Sequence, residues 1–213
     1  MANVLISGVY PAREAGQQEA IKRAEAAESA CPLHATATAP AQQYRPTRED
    51  ESMREALKRL QPISDDFRTG DYARSFNWDE ISAAFFEQLA TRRGDLPGRA
   101  AGNDDWYAVV FRSQRRRDCS NADLFEADRL AYEEAYAATG GALLVYWFAG
   151  LDADHNCLAT CVWSARDVAR SVNALPRHRE AARLSADVYV SYHIDRYRIR
   201  MDAPRQRLDV APW

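Results

Sequence analysis

The sequence lacks the long apolar runs and leader features that mark membrane and secreted proteins. No apolar run approaches the roughly 18–20 residues of a membrane-spanning helix. The longest, from Ala142 to Gly150, has the length of a strand. The first residues carry neither a basic region nor a long apolar stretch, so we expect no secretory signal. The sequence predicts a cytoplasmic protein that does not bind a membrane.

Cysteine is scarce, with four residues in a chain of 213. The four form neither a Cys-x-x-Cys pair nor a cluster with zinc-ligand spacing. Cys157 and Cys161 lie four apart in a predicted strand, about 13 Å from each other, which is too far for a disulfide. Dinucleotide, P-loop, nucleophile-elbow and HExxH motifs are also missing. We therefore expect buried, reduced cysteines, no metal and no cofactor.

Charge of one sign is not in excess either. The chain has 28 basic and 31 acidic residues, and its formal net charge is −3. Nucleic-acid binders usually carry a basic domain or face, so no nucleic-acid partner is expected. What the sequence does have is ordinary globular composition, 46% hydrophobic and 28% charged, which suffices for the core of one domain.

Residues 1–75 differ in composition from the rest of the chain. They are rich in Ala, Gln, Glu, Pro and Thr, and large aromatic residues are few. Good helix formers over 14–30 and a capping box from Thr47 to Asp50 predict two helices joined by a proline-containing linker. We expect an N-terminal extension at 1–75, partly helical or mobile, that contributes little to the core. One domain follows at 76–213.

From residue 76 helical and strand patterns alternate. A helix is predicted from Trp78 to about Leu89, and a second over 120–139, where apolar residues recur at helical spacing. A third begins near residue 165, pauses at Pro176 and continues to about Tyr192. Aromatic and β-branched runs predict strands at 106–112, 142–148, 157–163 and 193–201.

The order of these domain elements is βαββαβ, the ferredoxin-like plan of an α+β fold. It predicts a four-stranded antiparallel sheet with helices on one face. The first strand is apolar on both sides, since Trp106 and Val110 alternate with Tyr107 and Phe111. A one-sided helix layer cannot cover both. The cover is either a second copy, as in dimeric α+β barrels, or the N-terminal extension; the homodimer is the favoured prediction.

Four aromatic motifs carry a family resemblance: Phe76-Asn-Trp-Asp-Glu80, Trp106-Tyr-Ala-Val-Val-Phe-Arg-Ser113, Gly140-Gly-Ala-Leu-Leu-Val-Tyr-Trp-Phe148 and Cys157-Leu-Ala-Thr-Cys-Val-Trp-Ser164. Their order and spacing resemble the fungal UPF0643 family of uncharacterised proteins over about 76–213. That family has no established activity, and its pattern has a histidine where this chain has Tyr132. The fold plan also suggests a comparison with dimeric α+β barrel enzymes, many of which are cofactor-free.

The densest group of candidate binding residues is aromatic and arginine-rich: Trp106, Arg112, Tyr146, Trp147, Trp163 and Arg166. Aromatic walls with a few polar groups suit a flat hydrophobic ligand. The alternative is a core of large residues with arginines at its rim. Arg115-Arg-Arg117 predicts a solvated basic loop, with an anionic ligand as its alternative, and His178 predicts a surface or helix-start position.

Candidate catalytic residues lie on one helix and on the last strand. Asp128 and Tyr132 share a helix face and would present an acid and a hydroxyl to the sheet, although Asp128 could equally be solvated. His193 and Asp195 share a strand face. They predict either a general base beside its orienting carboxylate or a charged edge that prevents strand pairing with other chains.

These residues together predict an enzyme of small-molecule, secondary metabolism. It would catalyse a cofactor-independent cyclisation, isomerisation or elimination in an aromatic-lined pocket. The alternative is a ligand-binding or scaffolding protein without chemistry, which the lack of a recognisable triad or metal set favours. In both cases the expected partner is a hydrophobic small molecule.

Overall fold

The computed structural model describes residues 8–9, 44–92, 94, 96–100, 102–118 and 121–213. The predicted helix over 14–30 lies outside these residues. The helices are α1 (Arg48–Leu57), α2 (Tyr72–Ser75), α3 (Trp78–Thr91), α4 (Asn121–Ala138), α5 (Arg166–Ser171) and α6 (Pro176–Val188). A 3₁₀ turn at Val172–Ala174 joins α5 to α6. The strands are β1 (Gly8–Val9), β2 (Asp105–Arg115), β3 (Leu143–Phe148), β4 (Asn156–Trp163), β5 (Tyr189–Asp202) and β6 (Arg207–Pro212).

The strands form one antiparallel sheet in the order β1-β3-β4-β2-β5-β6. Its four central strands, with α4 between β2 and β3 and with α5 and α6 between β4 and β5, form the βαββαβ unit. The ferredoxin-like α+β fold predicted from the sequence is therefore confirmed.

Two strands and one boundary differ from the prediction. β1 extends the sheet beyond β3, and β6 pairs with the end of β5. The last helix ends at Val188 instead of near Tyr192, and β5 begins at Tyr189. The run from Val188 to Val190 is β-branched and aromatic, which favours extended backbone and explains the earlier end of the helix.

Helices cover both faces of the sheet, which corrects the prediction of helices on one face only. We name the sheet face that holds Trp106 and Val110 face A, and the opposite face, with Tyr107 and Phe111, face B. Side chains of α1, α2 and α3 form one hydrophobic cluster with face A. Side chains of α4, α5 and the 3₁₀ turn form a second cluster with face B. The sheet is thus the middle layer of three.

The segment around α1 and α2 is part of the core, so the prediction that residues 1–75 contribute little to it is wrong for this segment. Met53 and Leu57 of α1 and Tyr72 of α2 are each 0% exposed. The Tyr72 hydroxyl forms a 3.0 Å hydrogen bond with the Thr160 hydroxyl of β4. The sequence signal was weak because α1 offers few large apolar residues, although those few are fully buried. A boundary at residue 75 would divide one hydrophobic cluster.

Asp50 fixes the start of α1 to the sheet. The predicted capping box is present, since the Asp50 N–H donates to Thr47 Oγ1 at 3.1 Å and the Thr47 N–H donates to Asp50 Oδ2 at 3.3 Å. Asp50 Oδ1 accepts hydrogen bonds from Trp106 Nε1, at 2.9 Å, and from the Arg99 guanidinium. One carboxylate therefore joins a helix cap, a strand and the loop before that strand.

Arg54 fixes the other end of α1 to the turn before β3. Its side chain is 6% exposed. Its guanidinium donates to the backbone carbonyls of Gly141, at 2.7 Å, and Leu143, at 3.1 Å. These carbonyls would otherwise be buried without partners beneath the helix, which is costly. The helix is therefore held by polar as well as apolar contacts.

This cover contradicts a homodimer formed through the open face of the sheet. Trp106 and Val110 lie on the face that α4 to α6 leave open, and they are 0% exposed beneath other helices of the same chain. A second copy cannot reach them without displacing α1 and α3. The alternative named from the sequence, a cover provided by the N-terminal part of the chain, is the arrangement observed.

Deletion of residues 1–70 should produce a chain that does not unfold cooperatively, because it uncovers Trp106 and its neighbours on face A. We expect aggregation or a molten globule that binds a hydrophobic dye and lacks near-UV circular dichroism. A soluble fragment with a sharp urea transition would contradict the role given to α1.

A milder test replaces single side chains. Leu57→Ala should lower the free energy of unfolding by about 2–5 kcal/mol, because it leaves a cavity in the core. Ile63→Ala is the control, since Ile63 is 64% exposed, and it should cost no more than about 0.5 kcal/mol. Equal losses in urea titrations of the two variants would show that α1 does not pack as described.

Candidate functional site

The sheet separates the predicted site residues into two groups. Those on face A are Trp106, Arg112, Trp147, His193 and Asp195. Those on the face B side are Asp128, Tyr132, Tyr146, Trp163 and Arg166. The structure therefore does not form one pocket from all the predicted residues, because neighbouring strand residues point to opposite faces.

The tryptophans at 106, 147 and 163 belong to the core. Trp106 is 0%, Trp147 2% and Trp163 3% exposed. Trp147 packs edge-to-face against Phe76, with ring centroids 5.3 Å apart. Trp163 Nε1 donates a hydrogen bond to Cys161 Sγ at 3.0 Å. Their contacts are those of structural side chains, which was the alternative named for this set.

Arg112 fastens a turn to face A. Its Nε donates to Asp195 Oδ2 at 2.8 Å. Its terminal nitrogens donate to the backbone carbonyls of Phe67 at 3.2 Å, Arg68 at 2.5 Å and Gly70 at 2.7 Å. These bonds use most of the donors of the guanidinium group. Arg112 therefore holds the segment between α1 and α2 against the sheet.

His193 and Asp195 do lie together, as the strand spacing predicts. His193 Nε2 is 2.8 Å from Asp195 Oδ1, and the His193 side chain is 73% exposed. Asp195 shares its other oxygen with Arg112. The pair is therefore on the surface of face A, on the other side of the sheet from Asp128, and the two predicted catalytic pairs cannot act on one substrate.

Asp128 of α4 turns its carboxyl group towards face B. The Tyr146 hydroxyl, from β3, donates to Asp128 Oδ2 at 2.5 Å. The Tyr132 ring, one helical turn along α4, stacks on the Tyr146 ring with centroids 6.2 Å apart. Of the two interpretations of Asp128, the structure shows the inward orientation and not the solvated one.

Burial dominates the electrostatics of this pair. It raises the pKa of the Asp128 carboxyl, while the Tyr146 hydrogen bond and the charge of Arg115 oppose the rise. The pKa of the Tyr146 phenol is well above its ordinary value because of burial and of the neighbouring carboxylate. The proton therefore resides on Tyr146 when Asp128 is ionised, and the short bond is charge-assisted.

Other titratable groups around Asp128 are held uncharged by burial. Burial raises the pKa of the Cys161 thiol and of the Tyr189 phenol to about 12, and it raises the pKa of Cys157 and Tyr192 as well. Burial lowers the pKa of His178, on α6. The surroundings of Asp128 are polar but neutral, apart from Arg115.

Arg115 was missed as part of the site. The sequence predicts it in a solvated loop, whereas it ends β2 and is 6% exposed. The pairing of β2 with β5 becomes irregular between Gln114 and Arg115. The extra residue lies on β5, since Gln114 pairs with Ser191 and Arg115 with Tyr189. Arg115 therefore keeps the alternation of β2 and lies on face B with Phe111. It was missed because the aromatic and β-branched run that marks the strand ends before it.

A row of five aromatic rings passes through the Asp128 and Tyr146 pair, and we name it the face B ladder. Successive ring centroids are 6.1, 6.2, 6.1 and 6.3 Å apart. In order, the rings belong to Tyr136, Tyr132, Tyr146, Phe148 and Phe125. Phe125 is 42% exposed, so the ladder leads from the buried pair to the surface.

Two shallow grooves lie at the edges of face B. One, of about 210 Å³ between α4 and α6, is lined in part by Ala127, Leu130 and Arg177. The other, of about 290 Å³, is lined in part by Tyr107, Arg166 and Trp213. Arg166 lies over the Trp213 ring at 5.5 Å in this second groove. Arg166 is therefore separate from the face B ladder.

Two further features are absent from the part of the chain that the structure describes. There, no group of three or more His, Cys, Asp or Glu side chains is placed to hold a metal ion. No helix among the same residues is long and apolar enough to cross a bilayer.

The family of the chain is now evident. A family model described as PB2B2.08-like matches residues 36–211. The chain belongs to this family. The matched range contains α1 to α3 as well as β2 to β5 and nearly all of β6, so the cover of face A lies within the family region. The UPF0643 resemblance stays a prediction, and no curated protein matches the chain.

Several solved structures are similar to part of the chain at low identity. A dimeric ferredoxin-like protein of unknown function from Bacteroides fragilis is 15% identical over 43% of this chain and 94% of its own, with a TM-score of 0.32. A similar dimeric protein from Thermobifida fusca is 18% identical over 43% and 89%, with a TM-score of 0.35. A Nitrosomonas europaea protein, provisionally assigned as an antibiotic biosynthesis monooxygenase, is 12% identical over 46% and 92%, with a TM-score of 0.38. These similarities assign no residue a role.

Asp128→Asn should stabilise the protein at neutral pH. The folded state raises the pKa of Asp128 above the ordinary 3.8, so it binds this proton more tightly than the unfolded chain does. The stability from Asp128 is full below the unfolded value and is lost as pH rises through the folded pKa. Asparagine avoids this loss and still accepts the Tyr146 hydrogen bond. Melting temperatures at pH 4 to 8 should show a gain that grows with pH.

The exposed Asp154 supplies a control, since Asp154→Asn should show no such pH-dependent gain. A loss of stability in Asp128→Asn that is equal at every pH would contradict the inward, desolvated position of the carboxyl group.

Face A yields a prediction about the roles of Arg112 and His193. Arg112→Met should lower the free energy of unfolding by about 3 kcal/mol or more, because Asp195 and three carbonyls lose their donor. His193→Ala should change it by less than about 1 kcal/mol, because the His193 side chain is 73% exposed. Urea titration of both variants measures the difference, and a large loss in His193→Ala would contradict it.

Proposed function

We propose that this protein is a small-molecule enzyme whose reacting groups are Asp128 and Tyr146 on face B. It transfers a proton to or from a flat, conjugated substrate in a cofactor-independent isomerisation, cyclisation or elimination. The observation that carries the proposal is the part-buried 2.5 Å hydrogen bond between the two side chains, set in a row of neighbouring aromatic rings.

The pair has the properties that acid–base catalysis needs. A carboxyl group whose pKa is raised by burial is a stronger base once ionised, and it holds its proton closer to neutral pH. The bond from Tyr146 fixes Oδ2 of Asp128, so the remaining oxygen, Oδ1, is the atom assigned to exchange a proton with the substrate.

The proton balance of the step is simple. Ionised Asp128 removes a proton from a carbon next to a substrate carbonyl, and the electron pair moves into the enolate. The protonated carboxyl group then returns the proton at another position or to a leaving group. Tyr146 keeps its own proton throughout and stabilises the carboxylate between turnovers by hydrogen bonding.

The face B ladder supports a flat substrate. Stacked or offset contact with an aromatic ring is favourable for another flat π-system. Tyr132, predicted as a catalytic hydroxyl, acts in this proposal through its ring, which stacks on Tyr146 at 6.2 Å. The remaining predicted catalytic pair, His193 and Asp195, has no part in the reaction because it lies on face A.

The non-catalytic alternative uses the same site. A ligand-binding or scaffolding protein would also stack a flat ligand on the ladder, but Asp128 would then hold the ligand without removing a proton. A cytoplasmic location and a role in secondary metabolism complete the proposal, as the sequence predicts. The predicted homodimer would have to form through a surface other than face A.

Exchange of carbon-bound hydrogen in D₂O tests the proposal without knowledge of the natural substrate. A panel of aryl 1,3-diketones is incubated with the full chain, and deuterium incorporation is followed by NMR. Asp128→Asn should slow the enzyme-dependent exchange by about 10²–10⁴-fold while the dissociation constant stays similar. Tyr146→Phe should slow it less.

Tyr136→Phe is the matched control, since it keeps its ring in the ladder and should exchange like the unaltered chain. Exchange that survives Asp128→Asn would contradict the assignment of the base. Diketones that bind but exchange no faster than in buffer would favour the binding protein over the enzyme.

A further inference from the structure

We infer that the ligand of face B is an organic anion whose negative group lies at Arg115 and whose flat body lies along the face B ladder. The inference rests on the proposed function for the position of the site. It adds a binding residue and a ligand class, and it holds whether or not a proton is transferred.

Arg115 is built into the site at the surface end of the ladder. Its guanidinium carbon is 4.9 Å from the centroid of the Phe125 ring, and Phe125 is the most exposed member of the ladder. The Arg115 side chain itself is 6% exposed. The irregular pairing at Gln114 and Arg115 places Arg115 opposite Tyr189 of β5. A ligand that enters past Phe125 therefore meets a buried cation first.

The charges around Asp128 make an anion the fitting ligand. Facing it are Tyr146 from β3, Cys157 and Cys161 from β4, Tyr189 and Tyr192 from β5, His178 from α6 and Arg115 from β2. Glu134 lies beyond His178 and accepts its backbone N–H. The phenols and thiols, whose pKa values are raised, keep their protons at neutral pH, and burial lowers the pKa of His178. Apart from Glu134, Arg115 and Asp128 are the groups of this set that carry charge.

A bound anion and the Asp128 carboxylate therefore both interact with the positive charge of Arg115. Arginine stays charged in proteins and its planar group matches carboxylate and enolate oxygens. Two anions near each other disfavour their joint ionisation, so the anion raises the pKa of Asp128 further. Binding is then accompanied by uptake of a proton at Asp128, which places an acid next to the bound anion.

A matched pair of probes tests the charge requirement. 2-Naphthoate and the neutral 2-naphthamide have the same flat body and differ in charge. Isothermal titration at pH 7 should give a dissociation constant at least about tenfold lower for naphthoate. Repeating the naphthoate titration in two buffers of different ionisation enthalpy should reveal net proton uptake, and Asp128→Asn should remove that uptake.

Variants assign the effect to Arg115. Arg115→Met should remove the preference for naphthoate and leave naphthamide binding unchanged, whereas Arg115→Lys should retain part of the preference. Arg116→Met, at the exposed neighbouring position, should leave the preference unchanged. Circular dichroism checks that each variant is folded, and Arg115→Lys carries the test if Arg115→Met is not.

The outcomes separate this inference from the proposed function. Equal affinity for the two probes would contradict the binding of an anion at Arg115. An unchanged preference for naphthoate in both Arg115→Lys and Arg115→Met would contradict it as well. Failure of both probes to bind would overturn the flat anionic ligand. Neither result touches the deuterium exchange assigned to Asp128. If deuterium exchange did not depend on Asp128 while the preference for naphthoate remained, the proposed catalytic role would be wrong and the anion site would still be supported.

Discussion

The hydrogen bonds of the Asp50 carboxylate hold the architecture together. They join the cap of α1 to Trp106 in the sheet and to Arg99 in the loop before β2. Arg99 extends the link, since it donates to the backbone carbonyl of Ser164 at 2.8 Å. A buried carboxylate that loses its partners costs about 3–5 kcal/mol. This group sets where α1 begins on the sheet, and Arg54 and the buried side chains of α1 hold the rest of the cover of face A.

The cover allows the two faces of the sheet to differ. Face A carries tightly packed apolar and aromatic side chains, and its arginine, Arg112, is bonded to carbonyls and to Asp195. On the face B side, Asp128 of α4 bonds to Tyr146, and further tyrosines and two cysteines lie nearby. Burial of a carboxyl group destabilises the folded state, and the apolar clusters on the two faces contribute stability that offsets this cost.

The ferredoxin-like plan could be predicted because alternation and helical spacing are local signals. The inward orientation of Asp128 was one of two open interpretations, and the choice between them depended on Tyr146, which is distant in sequence. The cover of face A was harder to predict. The helix α1 has few large apolar residues besides Met53 and Leu57, and the residues they pack against are distant in sequence. Arg115 was mistaken for a loop residue because the aromatic and β-branched run of β2 ends before it, and because its neighbour Phe125 belongs to another element.

A sheet covered by helices of its own chain escapes a constraint that twofold symmetry imposes. In a symmetric dimer each substitution on the interface appears twice, and a residue near the axis must be compatible with a copy of itself. Here a change in α1 appears once and faces a sheet whose residues vary independently. A substitution in α1 can be compensated by a substitution on face A of the sheet. Sequences of this family can therefore diverge at this contact while its shape is retained.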